Sequence, residues 1–334
     1  MKKLISILIV LALSAAMFAC AGGSAGNNSE TSQSPAGASD SPASESTGSE
    51  SKNESAPEPE QPSSDENSAS ASQDTGTSQA DQTPVEGTDG LAFEEDFDSV
   101  VVTGLGTCAV TDIVIPSHVN GKPVVAIDEE AFEETNVTSV VIPWTVKKVD
   151  EDAFAGCESL VSAEFSEGLE YVSEGAFFGC MSLKKIDLPA SLYSVGHAAF
   201  RGCASLESVS LKGNTIIWSN AFTDCISMKT FEMTNAGGYG YDVSDTAFQG
   251  CTALETVRFA EGLGVIGGWN FSDDKALKTI YLPKSLTSVK ACAFLRSGLE
   301  KVFYAGSEDE WKQIDVKGSN EPLLEAEIEY NYAG

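Results

Sequence analysis

Ala153-Phe154-Ala155-Gly156-Cys157-Glu158-Ser159-Leu160 decides the fold, because the chain repeats it. Ala176-Phe177-Phe178-Gly179-Cys180-Met181-Ser182-Leu183 and Ala199-Phe200-Arg201-Gly202-Cys203-Ala204-Ser205-Leu206 follow. Ala221-Phe222 with Cys225 and Met228, and Ala247-Phe248 with Cys251 and Leu254, continue the series; Phe132, Phe271 and Phe294 mark copies without the cysteine. From Phe132 to Phe294 the steps are 22, 23, 23, 22, 26, 23 and 23 residues. A unit this short cannot bury its own apolar face and is stable only when stacked on copies of itself, so a fixed period in the twenties indicates a solenoid.

Each repeat carries two apolar segments. The first reads Leu-x-x-Ile-x-Leu, as in Leu183/Ile186/Leu188, Leu206/Val209/Leu211 and Leu277/Ile280/Leu282. Its last two positions are two apart and share one face of a short strand. Pro143, Pro189 and Pro283 end three of these strands. The second segment places Ile127, Val149, Val172, Val195, Ile217, Val243, Ile266 and Val289 five residues before each Phe. The expectation is an α+β, β-rich solenoid of about eight repeats, with a parallel sheet on one face and a cap at each end.

The spacing, with Ala-Phe-x-x-Cys-x-x-Leu and a proline after the strand, resembles the BspA-type leucine-rich repeats of bacterial surface proteins over about residues 100–334. The resemblance implies surface exposure, and adhesion to host matrix proteins or other cells as in some family members. Two departures stand out: no asparagine ladder follows the strands, and the 26-residue step carries Gly237-Gly238-Tyr239-Gly240-Tyr241, which is expected to bulge from the stack.

Residues 91–127 read as an N-terminal cap, with a tight turn at Asn120-Gly121, and 128–304 as the repeat solenoid. Residues 305–334 read as a C-terminal cap. Ser307 and Glu310 there form a capping box, Ala326, Ile328, Tyr330 and Tyr332 alternate as a last strand, and Trp311 is expected over the final coil.

Residues 1–19 have the form of a signal peptide: Lys2 and Lys3, then an apolar run from Leu4 to Leu13. Met17-Phe18-Ala19-Cys20 resembles a bacterial lipoprotein cleavage box, which implies diacylglycerol on Cys20 and anchoring to the outer face of the membrane; plain secretion is the alternative. Residues 20–90 are dominated by Ser, Glu, Ala, Gly, Pro, Gln and Thr. With thirteen acids and one base, Lys52, they read as a disordered tether. A flexible coil of that length has a root-mean-square reach of about 45 Å.

The net charge of −30 argues against nucleic acid, whose phosphates require Lys and Arg. Cys157, Cys180, Cys203, Cys225 and Cys251 stand three after each repeat Phe and read as a column of buried free thiols. No C-x-x-C pair occurs, and neither His118 nor His197 stands in a ligand or triad spacing, so no metal, cofactor or enzyme is expected.

Function must then lie where packing leaves residues free, in the outward columns of the strands. One column runs Val141, Glu164, Asp187, Ser210, Glu232, Arg258, Tyr281 and Phe303; the next includes Thr230, Thr256, Thr279 and Lys301. Arg258, Tyr281 and Phe303, with Thr279 and Lys301 beside them, form the candidate ligand site, and Tyr239 and Tyr241 in the insert are the next candidates. On an acidic body, a basic and aromatic patch would select an acidic or amphipathic protein ligand. The alternative is an envelope protein that stacks polysaccharide on Trp144, Trp218, Trp269 or Trp311.

Overall fold

The computed structural model describes residues 83–234 and 240–333. Cys20, the signal-like start, the tether as far as residue 82, and Tyr239 lie outside them. The repeats form the expected solenoid. Front strands stack in parallel as a run of three, from Asp112–Val114 to Ser162–Phe165, and a run of seven, from Lys185–Leu188 to Glu327–Tyr330. The break between the runs follows Ala163, where other repeats carry a larger apolar side chain.

A parallel sheet was expected on one face only, but the return segments build a second sheet. Twelve strands run from Ala92–Glu95 to Asp315–Val316. The buried aliphatic residue of each return segment keeps the register, pairing Val149 with Val172, Val172 with Val195, Val195 with Ile217 and Ile217 with Val243. Between the sheets the repeat phenylalanines form one column. Phe132 and Phe154 stack at 4.9 Å, Phe177 and Phe200 at 5.1 Å, and Phe248 and Phe271 at 5.6 Å, all of them buried.

The cysteine column has a polar role that spacing alone did not reveal. Each thiol donates to the carbonyl of the Phe one coil back: Cys157 to Phe132 at 3.0 Å, Cys180 to Phe154 at 3.2 Å, Cys203 to Phe177 at 3.3 Å, Cys225 to Phe200 at 3.2 Å and Cys251 to Phe222 at 3.1 Å. Each of these carbonyls also accepts the backbone N–H three residues on, as Phe154 O does from Cys157 at 3.2 Å, so the thiol supplies a second donor to a buried acceptor. The motif glycine is also explained. Gly156, Gly179, Gly202 and Gly250 have φ of 68°, 68°, 74° and 79°, a left-handed turn that glycine enters without strain.

Both chain ends differ from expectation. The tether was expected to run to residue 90, but the folded body starts earlier: Val85 N–H donates to Ser117 Oγ at 2.9 Å, and Val114 N–H to Thr88 Oγ1 at 2.8 Å. At the other end, Asp315–Val316 pairs with Ser288–Val289 and Glu327–Tyr330 with Lys301–Tyr304. The C-terminal segment therefore continues the solenoid for a further coil. The Ser307/Glu310 capping box forms at the start of the helix Glu308–Trp311. Asn120 and Gly121, with φ of 51° and 80°, close the hairpin between His118–Val119 and Lys122–Ile127.

Candidate ligand-binding face

Strand register delivers the outward columns as expected. Glu232 pairs with Arg258, Arg258 with Tyr281, Tyr281 with Phe303 and Phe303 with Glu329; alongside, Thr256, Thr279 and Lys301 pair in sequence. The guanidinium carbon of Arg258 lies 3.6 Å from the Tyr281 ring centroid. Tyr281 stacks on Phe303 at 4.6 Å with planes 8° apart, and Lys301 Nζ sits 4.5 Å from the Phe303 centroid. The sheet thus assembles two aromatic rings and two cations on adjacent coils, each ring covered by a cation.

The electrostatics differ from expectation. Arg258 pairs with Glu232 at 3.4 Å, and Lys301 with Glu329 at 3.0 Å and Glu327 at 3.7 Å. Glu329, first among its neighbours, raises the pKa of Lys301. Both cations are compensated, so the face is no basic patch and the expected contrast with an acidic body is absent. Beside it, Lys184, Glu207, Lys229, Glu255, Lys278 and Glu300 alternate in sign from coil to coil, each backbone N–H bonded to the carbonyl of the one before. That row neutralises itself, as the 2.6 Å Lys278–Glu300 pair shows.

Tyr332 is the residue that sequence reasoning misplaced. Alternation with Ala326, Ile328 and Tyr330 placed it in the last strand. The strand ends at Tyr330, Asn331 takes φ of 57°, and the chain turns Tyr332 outward onto the candidate site. Its ring lies 5.2 Å from Tyr281 and 5.1 Å from Phe303, and Arg258 Nη1 lies 3.2 Å from its hydroxyl. Tyr281 and Phe303 are consequently half-buried. The usable signal was Asn331, a residue type that enters the left-handed region readily.

Tyr241 is not a surface residue. It lies in the return strand Tyr241–Val243 with its ring in the core, 3% exposed, and its hydroxyl donates to the Ala260 carbonyl at 2.9 Å. Burial raises the pKa of this phenol further. Of the tryptophans, Trp144, Trp269 and Trp311 are half-buried, and Trp218 is exposed. Trp218 contacts His197 at 5.2 Å on the return sheet, where Tyr171 and Tyr193, also exposed, meet at 5.7 Å. Ser117 is fully buried; its Oγ accepts the Val85 N–H at 2.9 Å and lies 3.1 Å from His118 Nδ1.

A family model described as a BspA-type leucine-rich repeat region matches six copies, over residues 125–239 and 212–314. Among solved structures, the chain is similar to a leucine-rich repeat protein of T. pallidum: 28% identical, covering 56% of this chain and 88% of that one, with a TM-score of 0.48. A leucine-rich repeat protein of Bacteroides capillosus ATCC 29799 is 36% identical, covering 39% of this chain and 99% of that one, with a TM-score of 0.35. A leucine-rich cell surface protein of Faecalibacterium prausnitzii A2-165 is 17% identical, covering 71% and 99%, with a TM-score of 0.32. No curated protein matches the chain.

Proposed function

The chain belongs to the BspA-type leucine-rich repeat family, and on that premise we propose that it is a non-catalytic recognition module, anchored at a bacterial cell surface by lipid on Cys20, that binds a protein partner. The observation that carries the binding reading is the Arg258–Tyr281–Phe303 cluster, with the guanidinium 3.6 Å above Tyr281 and the two rings stacked at 4.6 Å. Repeat stacking needs no side chain at these outward positions, yet three consecutive coils place a preformed aromatic and arginine surface there. Tyr and Arg are the side chains that dominate interface energetics, and a rigid platform loses little entropy on binding. Surface display is supported by the box ending at Cys20 and by the acidic, low-complexity segment that follows.

Two experiments test this proposal. Arrayed matrix proteins should capture the wild-type chain, while a folded Arg258→Ser, Tyr281→Ser, Phe303→Ser variant should lose that capture; undiminished capture by the triple variant would place the site elsewhere. Radiolabelled palmitate should enter the wild type and not Cys20→Ala, and equal labelling would leave plain secretion.

A second reading, polysaccharide binding, is favoured by one observation: Tyr171, Tyr193 and Trp218 are exposed on successive coils of the return sheet. Sugar stacking on these rings would be nearly indifferent to salt, whereas a partner gripped by charges weakens as salt rises. Glycan-array binding that survives high salt and is lost in Trp218→Ala would establish it.

A further inference from the structure

Tyr332 occupies the candidate face as a ligand's side chain would. It reaches the site from a segment outside the repeat register, and its ring leans on Tyr281 and Phe303 at 5.2 and 5.1 Å, tilted 53° and 57°. Arg258 Nη1 donates to its hydroxyl at 3.2 Å. Past the end of the strand, two backbone bonds hold the segment: Asn331 N–H to Gly306 O at 2.9 Å and Tyr332 N–H to Tyr304 O at 3.1 Å. Alongside runs a groove of about 480 Å3 with Leu282 and Pro283 in its lining, flanked by Glu232 and Glu261, and Tyr332 forms one wall.

The platform beneath does not depend on Tyr332. Arg258 rests on Tyr281 and Tyr281 on Phe303 through contacts of their own, and Arg258 keeps Glu232 at 3.4 Å. Withdrawal of Tyr332 therefore strands no charge. It exposes two ring faces and one guanidinium N–H aimed at the point where a phenol oxygen had been. A segment held by so few bonds belongs to the low-stability end of the structure. The vacated space fits an aromatic side chain with an acceptor at its tip, and the groove beside it fits the neighbouring residues of an extended peptide.

We infer that Tyr332 is an internal stand-in for a partner's tyrosine: the face binds a tyrosine-bearing extended segment of a protein, and Tyr332 must leave before that segment can dock. The inference rests on the reading of the Arg258–Tyr281–Phe303 face as the ligand site. Tyr332 then acts as a resident competitor that lowers apparent affinity by the fraction of molecules in which it is docked.

The test is selection from a random seven-residue peptide library displayed on phage, against the full chain in four forms. Tyr332→Ala should recover about tenfold more phage than wild type, reflecting release of the docked fraction, with tyrosine enriched at one peptide position. Tyr332→Phe keeps the ring and loses the Arg258 bond, and should lie between the two. Tyr332→Ala combined with Arg258→Ser, Tyr281→Ser and Phe303→Ser should select nothing in common with Tyr332→Ala; thermal melting checks that each variant is folded. Equal recovery on wild type and Tyr332→Ala, no enrichment on Tyr332→Ala, or enriched peptides without an aromatic residue would overturn the stand-in. Retention of the same peptides by the combined variant would instead overturn the ligand face itself.

Discussion

The backbone N–H of Phe294 donates to the side-chain oxygen of Asn320 at 2.9 Å. In the inner repeats the plug phenylalanine donates to the alanine carbonyl of the next coil, as Phe154 does to Ala176 and Phe177 to Ala199, both at 2.8 Å. After Phe294 there is no further Ala-Phe coil, and Asn320 takes the carbonyl's place. Its Nδ2 donates to Lys290 O at 2.9 Å and Lys317 O at 2.8 Å, and the residue is 1% exposed. Asn270 stands in the motif alanine's place and serves Phe248 in the same way, at 3.2 Å. Asn320→Ala leaves one buried donor and two carbonyls short of a partner, and should destabilise by about 1–3 kcal/mol in urea unfolding. A loss below about 0.5 kcal/mol would mean that water satisfies these groups.

Phe200 is fully buried between Phe177 at 5.1 Å and Phe222 at 5.5 Å. Phe200→Ala removes a ring that both neighbouring coils pack against, so the site cannot collapse without moving them. The expected cost is about 3–5 kcal/mol, read from the denaturation midpoint. A cost under about 1 kcal/mol would mean the stack closes over the gap.

How much of this was legible in the sequence depends on whether one period governed the residue. The Phe plugs, the inner strand positions and the outward columns obey the 23-residue repeat, so Phe200, Val209 and the Arg258–Tyr281–Phe303 column fell where spacing put them. Residues outside the repeat did not. Tyr241 was read as part of the insert, where the repeat spacing could not orient it, while Asn331 ends the alternation that carried the last strand on to Tyr332. The neutralisation of Arg258 and Lys301 depends on which acids lie one coil away, and Glu329 belongs to a segment read as cap rather than as a further coil.

The thiol column should be chemically quiet. Burial pushes the thiols of Cys180, Cys203 and Cys251 well above the ordinary range, and each donates to a Phe carbonyl. The thiolate is the reactive form, so native protein should alkylate slowly at all three. After denaturation under anaerobic conditions, mass spectrometry should find all five column cysteines, from Cys157 to Cys251, carrying the label. A Cys157–Cys180 or Cys203–Cys225 bridge in such a sample would make the column an oxidised staple instead.

Asp274 stands three residues after Phe271, where the cysteine stands in five earlier repeats. It is 5% exposed; Oδ1 accepts the Ala276 N–H at 3.2 Å, and among the described residues Oδ2 has no hydrogen-bond partner. Its equivalents all donate to the Phe carbonyl one coil back, a role that an ionised carboxylate cannot fill and a protonated one can. Burial accordingly raises its pKa from 3.8 to about 7. Since the folded state holds this proton more tightly than the unfolded chain, the linked stability is fully present below the unfolded pKa, near 4. It declines as pH rises and is lost above about 7. Asp274→Asn keeps an acceptor for Ala276, supplies a donor at the second position and does not titrate. The wild type should therefore lose several degrees of melting temperature relative to Asp274→Asn between pH 5 and pH 8, with the gap levelling off above that range. Asp274→Cys extends the thiol column by a coil and should flatten the profile in the same way. Parallel profiles for wild type and both variants would mean that Asp274 is ionised in the folded protein and that the solenoid accommodates the charge by hydrating it.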